Sequence, residues 1–238
     1  MKNNRQLLSH IIEWDVANWS ESIKFWEQHV PNPSNPSQAK VLALGERNGG
    51  LSLWLGLKGY NVVCSDYEGV TQECKEMHAK YGVENLMTYQ NIDIYDIPFE
   101  DNTFDLVICK SVIGGLKLSH HDKTTRTLNN QQLAVNEIKR VLKPEAAFFG
   151  AENMRGSRLL HQMRTRYKKG NIGWRHFKVD ELKGLFNDYS TKSFAFFGLA
   201  PGLTNNTLIN KCIYLFNKVL DKITPKSLKY IAFIIAKK

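Results

Sequence analysis

The sequence predicts an α/β protein with a Rossmann-like, mostly parallel sheet and helices on both faces. Between residues 41 and 152, short apolar runs typical of strands alternate with longer stretches of helical periodicity, which is the pattern of βαβ units. The first run, VLAL, leads into the turn GERNGG, at the place where such sheets bind nucleotides. The 238 residues are 42% hydrophobic, which is enough for one large domain with a buried core.

The chain begins with a helical arm. Residues 5–29 show helical spacing of apolar side chains and contain Trp14, Trp19 and Trp26. The next segment, PNPSNPSQ, has three prolines in six residues, which neither a helix nor a central strand accepts. We therefore divide the chain into an arm with a proline-rich connector, residues 1–38, and one domain, residues 39–238. The arm either packs on the sheet edge or forms a lid over the ligand of the glycine turn.

Strands and helices then alternate. The strands are expected at 41–45, 61–65, 86–92, 104–111 and 146–152, with helices to about 58, near 71–81 and near 123–142. After residue 154 the pattern predicts a basic helix from 155, then the unassigned segment VDELKGLF, a strand at 193–198 and a closing strand at 230–238. An amphipathic helix at 208–222 either packs on the sheet or docks on a membrane surface.

Charge is unevenly distributed along the chain. The net charge of +9 combines −4 for residues 1–154 with +13 for residues 155–238. A basic last third favours an acidic or phosphorylated substrate, an anionic membrane or nucleic acid, or else is only a solvated face. The four cysteines form no CxxC pair, so we predict no metal site and a reducing compartment. With neither a spanning segment nor a leader recognised, we expect a cytoplasmic protein, with peripheral contact at the inner membrane face as an option.

The glycine turn has the character of a nucleoside site. Gly45 and Gly49 permit close approach of a ligand, but Arg47 stands where the dinucleotide motif GxGxxG has glycine, which argues against NAD and FAD. The GxxxxGK[ST] motif of ATP and GTP hydrolases is absent. Asp66 ends the second strand, 21 residues after Gly45, at a position where a carboxylate accepts hydrogen bonds from ribose hydroxyls. Asp93 follows the third strand and is placed to accept from an adenine amino group.

These segments together resemble a known family. The succession VLALGERNGG, VVCSDYE, IDIYDIPFEDNTFDLVICKSV and NEIKRVLKPEAAFF is similar to the class I S-adenosylmethionine-dependent methyltransferases, in particular the type 11 group. The likeness covers about residues 40–150, and YIAFIIAKK resembles the family's last, antiparallel strand in a seven-stranded sheet. The implied cofactor is S-adenosylmethionine, without a metal. Carried over, its candidate contacts are Trp19, Gly45, Glu46, Arg47, Asn48, Gly49, Asp66, Tyr67, Asp93, Ile94 and Lys110.

Two positions depart from that family. Ala43 replaces an acidic residue that often precedes the first glycine, and Arg47 replaces a glycine. Glu46 is expected to supply the missing carboxylate to the ligand's amino group, and Arg47 to pair with the ligand's carboxylate. The alternative is that both side chains point outward. Pro144 is followed by Glu145 in place of glycine, which we expect to affect only a surface turn.

The acceptor is expected beyond the fourth and fifth strands. His121 and His176 are the candidate general bases there, because a histidine near neutrality suits that role. The basic segment from Arg155 to Lys169 favours a small anionic acceptor. The leading hypothesis is O-methylation of a cell-surface saccharide precursor. An RNA methyltransferase is the alternative enzyme, and a cofactor-less scaffold or membrane-associated binding protein is the alternative of another class. Oligomeric state is left open.

Overall fold

The computed structural model describes residues 2–30, 38–116, 128–167, 174–202 and 206–238. Within them lie the strands β1 (Lys40–Leu44), β2 (Asn61–Asp66), β3 (Met87–Asn91), β4 (Phe104–Lys110), β5 (Leu142–Asn153), β6 (Thr191–Phe197) and β7 (Ile231–Lys237). They form one sheet in the order β3-β2-β1-β4-β5-β7-β6. β7 runs antiparallel to β5 and β6, and the remaining neighbours are parallel. The predicted fold class is confirmed, including the antiparallel last strand.

Helices cover both faces of this sheet. The arm forms α1 (Lys2–Ile12), α2 (Val16–Trp19) and α3 (Glu21–Glu27), and the crossovers contain α4 (Gly50–Gly56), α5 (Gln72–Lys80) and α6 (Leu128–Val141). The last third contains α7 (Arg158–Tyr167), α8 (Val179–Gly184) and α9 (Thr207–Leu220). Successive side chains of β1 enter two different apolar clusters, because side chains alternate between the faces of a strand. One cluster contains α6 and α8, and the other contains α4 and the arm.

The sequence explains why the central strands form where they do. Leu106 to Lys110 of β4 and Val41 to Leu44 of β1 are buried throughout, as expected of parallel strands covered on both faces. Two helices start at side-chain caps: Thr71 Oγ1 accepts from the Cys74 amide before α5, and Asn206 Oδ1 accepts from the Leu208 amide before α9.

The arm is part of the core. Trp26 of α3 is fully buried and stacks on Phe149 of β5, with ring centroids 6.1 Å apart. Its indole Nε1 donates to the Ile234 carbonyl of β7 at 3.3 Å. The arm therefore packs on the sheet through α3, while the proline-rich segment 31–37 lies outside the described residues.

The orientation of α9 does not fit packing of its apolar side on the sheet, which was one of its two expected arrangements. Asn217 is its one buried residue, and several of its large apolar side chains are exposed. Cys212 on the same helix is also exposed, whereas Cys64, Cys74 and Cys109 are buried, and all four are free thiols. None of the described helices is long and apolar enough to cross a membrane.

Candidate active site

The glycine turn joins β1 to α4 at the carboxyl edge of the sheet. Gly45 and Gly49 have φ angles of +66° and +71°, in the left-handed region that glycine adopts readily. A Cβ at Gly45 would overlap the Val112 side chain, and one at Gly49 would overlap Cys74 Sγ and the His78 ring. Both glycines are therefore required by backbone conformation and by the close approach of neighbouring side chains.

Glu46 points into the protein. Its Oε2 accepts the amides of Leu51 and Ser52, at 2.8 and 3.0 Å, so the carboxylate caps the start of α4. Burial raises the pKa of this carboxyl, and the Ser52 amide opposes that rise. The alternative in which Glu46 points outward is wrong. Because one oxygen holds the helix, only the other is left to meet a ligand's amino group.

Arg47 and Asn48 lie on the outer side of the turn. The Arg47 side chain is 61% exposed and its Nη1 lies 3.2 Å from Glu68 Oε2, so it bridges the turn to the segment after β2. Asn48 is exposed and hydrogen bonds to the Glu13 side chain of the arm. Pairing of Arg47 with a ligand carboxylate stays a prediction, and it requires the guanidinium to leave Glu68.

The predicted adenosine ligands lie at neighbouring strand ends. Asp66 ends β2 and is half-buried, with Oδ1 accepting from the Glu68 amide at 3.1 Å. Asp93 follows β3 and is exposed, with Oδ1 accepting from the Tyr95 amide at 3.0 Å. Parallel pairing of β2 with β3 brings both carboxylates to one edge of the sheet. Tyr67 is 47% exposed beside them, whereas Ile94 is buried.

The arm closes over the end of β4. Lys110 is 7% exposed, donates to the Ile12 carbonyl at 3.0 Å and lies 3.1 Å from the centroid of the Trp14 ring. Burial lowers its pKa, and the carboxylates of Glu13 and Glu46 oppose that fall. Sequence reasoning missed Glu13, because neither a strand end nor a motif marks it. The local sign in the structure is its φ of +69°, which is uncommon outside glycine.

Trp19 does not line this site. It is 2% exposed and belongs to the apolar cluster between the arm and the sheet, so packing excludes the predicted contact with a cofactor in this conformation. Trp14 lies against it, with ring centroids 6.1 Å apart, and is 44% exposed. The tryptophan that the arm presents beside Lys110 is therefore Trp14.

The charged groups at this edge fit S-adenosylmethionine. Its methionine part carries an ammonium and a carboxylate, and the turn end offers the acidic Glu13 and Glu46 together with the basic Lys110. Its ribose and adenine offer hydroxyl and amino donors, and carboxylates such as Asp66 and Asp93 accept from such groups. The set thus matches both ends of the cofactor.

A buried carboxylate organises the loop after β4. Glu152 of β5 is fully buried, and its Oε1 accepts the amides of Val112 and Ile113 at 3.0 and 2.8 Å. Its Oε2 lies 3.3 Å from the Gly114 amide. Burial raises the pKa of Glu152 to about 7, against the lowering effect of these amides. Glu152 therefore holds this loop, which borders the side where the acceptor is expected.

Two imidazoles and two arginines meet beyond β5. His161 of α7 and His176 contact each other edge to face, with ring centroids 5.5 Å apart. The Phe177 amide donates to the Asn153 carbonyl, which brings residue 176 to the end of β5. Both nitrogens of His176, Nδ1 of His161 and Nε of Arg155 are buried without a hydrogen-bond partner among the described residues. We call His161, His176, Arg155 and Arg164 the basic cluster.

The structure argues against His176 as a general base. It is 3% exposed, and burial together with the charges of Arg164 and Arg155 lowers its pKa to about 3. A general base that works at neutral pH needs a pKa much closer to 7. His176 therefore does not fit the general-base role that the sequence predicted. His121 lies outside the described residues, as do Lys168 and Lys169.

Comparison with known proteins agrees with this geometry. Residues 42–150 match the family model of a methyltransferase domain. The EEF1A lysine methyltransferase 4 of Bos taurus is 27% identical over 139 residues, which are 57% of this chain and 52% of that protein. The chain thus spans about half the length of this curated relative.

Solved structures share the fold. A Thermotoga maritima S-adenosylmethionine-dependent methyltransferase, described as a possible histamine N-methyltransferase, has a TM-score of 0.59 at 13% identity, covering 100% of this chain and 95% of its own. The putative methyltransferase bound to the Trm112 activator of Haloferax volcanii has a TM-score of 0.60 at 14% identity, covering 92% and 88%. Residues 42–150 thus match the model of a methyltransferase domain, and the chain shares the Rossmann-like fold of these methyltransferase structures.

Proposed function

We propose that this protein transfers a methyl group from S-adenosylmethionine to a hydroxyl of a small anionic acceptor, such as a phosphorylated saccharide precursor of the cell surface. The observation that carries the anionic acceptor is the basic cluster at the end of β5. It lies next to the loop that Glu152 holds, because the amide of Arg175, the residue before His176, donates to the Gly114 carbonyl of that loop. This position is beyond the carboxyl ends of the strands, where open α/β sheets bind their ligands.

The buried charge of Arg164 supports this choice. The guanidinium is 6% exposed and donates to two neutral acceptors, the Met154 carbonyl and Asn153 Oδ1. None of the ion pairs among the described residues includes it, and burial lowers its pKa to about 10. A buried cation without an opposite charge is costly, so an anion bound nearby would stabilise the cluster.

The imidazoles complement this charge without adding to it. Burial and the arginines lower the pKa of both His161 and His176, so both rings are neutral at pH 7. Neutral rings each offer one N–H donor and one acceptor nitrogen. In this proposal the arginines attract the anionic group, and His161 hydrogen bonds to the acceptor and orients it.

S-adenosylmethionine would supply an electrophilic methyl group on a sulfonium. Asp66 and Asp93 would hold its adenosine, and the Glu13, Glu46 and Lys110 groups its methionine end. Trp14 and the arm would exclude water from that end. Catalysis then rests mainly on proximity and orientation, since methyl transfer is an in-line displacement. The hydroxyl oxygen would bond to the methyl carbon as the carbon–sulfur bond breaks and S-adenosylhomocysteine leaves, and the hydroxyl proton would pass to solvent through the hydrogen bond to His161.

Cationic acceptors fit this site less well. The names of the relatives mention lysine and histamine as substrates of those proteins, but an ammonium would be repelled by Arg155 and Arg164. RNA is also an anion and would be attracted by the same arginines. It can be distinguished from a small anionic acceptor because the affinity of a protein for RNA falls steeply with salt concentration.

The test is steady-state kinetics with nucleotide sugars, sugar phosphates and the matching neutral sugars, with S-adenosylhomocysteine formation as the readout. We expect turnover with the anionic acceptors only. Arg155→Ala should raise the acceptor KM at least about tenfold without changing the cofactor KM, whereas Arg158→Ala, an exposed arginine three residues away, should change neither. Equal turnover of neutral sugars, or equal effects of the two variants, would refute the anionic acceptor. Activity on RNA alone would favour the alternative enzyme.

A further inference from the structure

The helix α9 presents its apolar side to solvent. The exposed fractions are 69% for Leu208, 51% for Leu215, 51% for Phe216 and 73% for Val219. Ile223, one turn beyond Val219 and just past the end of the helix, continues the stripe with 76% exposure. At 100° per residue these side chains, with Ile209 and Cys212, fall on one side of the helix. We call them the apolar face of α9.

Polar contacts fix this orientation. The side chain of Asn217 is fully buried, donates to Asn18 Oδ1 at 2.8 Å and accepts the amide of Leu199 at 2.9 Å. Tyr214 donates its hydroxyl to Glu21 Oε1 at 2.7 Å. The polar side of α9 is thus bound to the arm, which is the reverse of a helix that packs on a core. Rotation of the apolar face inward would break these hydrogen bonds.

Lysines border the apolar face. Lys211 and Lys222 are exposed on one flank, and Lys218, at nearly the same angle around the helix, pairs with Glu21. The helix itself contains no acidic residue. The last third of the chain, residues 155–238, carries a net charge of +13. The surroundings of the apolar face are therefore complementary to an anionic surface.

We propose that the apolar face of α9 docks on an anionic phospholipid membrane. Its 14 residues extend about 21 Å at 1.5 Å per residue, too short to cross a bilayer but suited to lie in the plane of the interface. Apolar side chains then enter the headgroup region while the flanking lysines meet the lipid phosphates. A protein partner would also cover apolar side chains, but the absence of any acid from the helix favours lipid.

Docking would place a cleft at the membrane surface. The cleft has a volume of about 1040 Å³ and lies between the arm and the start of α9, where its lining includes Glu13, Trp14, Leu208 and Lys211. Trp14 also contacts Lys110 at the end of β4. A membrane-bound protein would therefore present this cleft to acceptors carried by lipids. This consequence rests on the proposed function, whereas membrane binding itself does not.

The test is co-sedimentation of the full chain with phosphatidylcholine vesicles, with or without phosphatidylglycerol. We expect binding only to the anionic vesicles and its loss at high salt. Phe216→Gln combined with Val219→Gln should weaken binding at least about tenfold, as should Lys211→Glu with Lys222→Glu. Leu133→Gln on α6 and Lys80→Glu on α5 are the matched exposed controls and should bind like the parent. A fluorophore on Cys212, the exposed cysteine of the four, should shift to the blue on anionic vesicles.

Circular dichroism and S-adenosylmethionine binding by each variant establish that it is folded, independently of vesicles. No binding to anionic vesicles, or equal binding by the α9 variants and the controls, would overturn the proposal. Self-association in sedimentation velocity that the Phe216 and Val219 changes abolish, without vesicle binding, would assign the face to a second copy of the chain. Failure of catalysis with intact vesicle binding would refute the proposed function alone.

Discussion

Glu152 is predicted to make the stability of the protein depend on pH. The side chain is fully buried, and burial raises its pKa from the usual 4.5 to about 7. In the unfolded chain the carboxyl is in water and loses its proton near the lower value. Between these two pH values the folded protein binds more protons than the unfolded chain, so this contribution to stability falls as pH rises.

The magnitude follows from the shift. Each unit of pKa difference corresponds to about 1.4 kcal/mol, so the contribution of Glu152 to the free energy of unfolding falls by roughly 2 to 3 kcal/mol between pH 5 and pH 8. Glutamine is similar in size and does not titrate. Glu152→Gln should therefore lack this dependence, although it loses part of the bonding to the loop amides at every pH.

Urea unfolding at pH 5 and pH 8 measures the effect. The stability of Glu152→Gln relative to the parent should rise by about 2 to 3 kcal/mol from the lower to the higher pH. Glu100→Gln is the matched control, because this side chain is exposed, and it should change stability equally at both pH values. If the stabilities of the parent and of Glu152→Gln differ by the same amount at both pH values, Glu152 does not have the raised pKa.

Three further substitutions test the backbone and the position of α9 by urea unfolding. Gly49→Ala should destabilise by at least about 2 kcal/mol more than Gly82→Ala, because both have positive φ but only Gly49 lacks room for a Cβ; equal losses would contradict the crowding. Asn217→Ala should lower the free energy of unfolding by about 2 to 4 kcal/mol, because the Leu199 amide and Asn18 lose their hydrogen bonds to this side chain. Unchanged stability would contradict the role of Asn217 in anchoring α9. Glu145→Gly should stabilise by up to about 1 kcal/mol by relieving a φ of +63°; a loss would contradict that.

The sheet and the nucleotide turn could be predicted from the sequence because each is marked by a short, local pattern of residues. Parallel strands buried on both faces give continuous apolar runs, and βαβ connections leave few possible topologies. Asp66 and Asp93 follow directly from the positions of strand ends. Gly45 and Gly49 were predictable as well, because a sharp turn after a strand requires glycine.

The remaining features depend on contacts between distant parts of the chain. The spacing in α9 shows that an apolar face exists, but its direction is set by Asn217, which bonds to Asn18 across 199 residues. The low pKa of His176 comes from burial and from arginines on α7 and before it. The Lys110 environment depends on Trp14 and Glu13 of the arm. Local sequence patterns do not show contacts between residues so far apart in the chain.

Isothermal titration calorimetry with S-adenosylmethionine tests whether the glycine turn and the neighbouring strand ends bind this cofactor. We expect micromolar binding of S-adenosylmethionine and S-adenosylhomocysteine, weakened at least about tenfold by Asp66→Ala because a carboxylate hydrogen bond to the ribose is lost. Asp188→Ala, an exposed aspartate remote from the turn, is the control and should bind like the parent. Absence of binding, or equal binding by Asp66→Ala and the control, would contradict a cofactor site at this edge of the sheet.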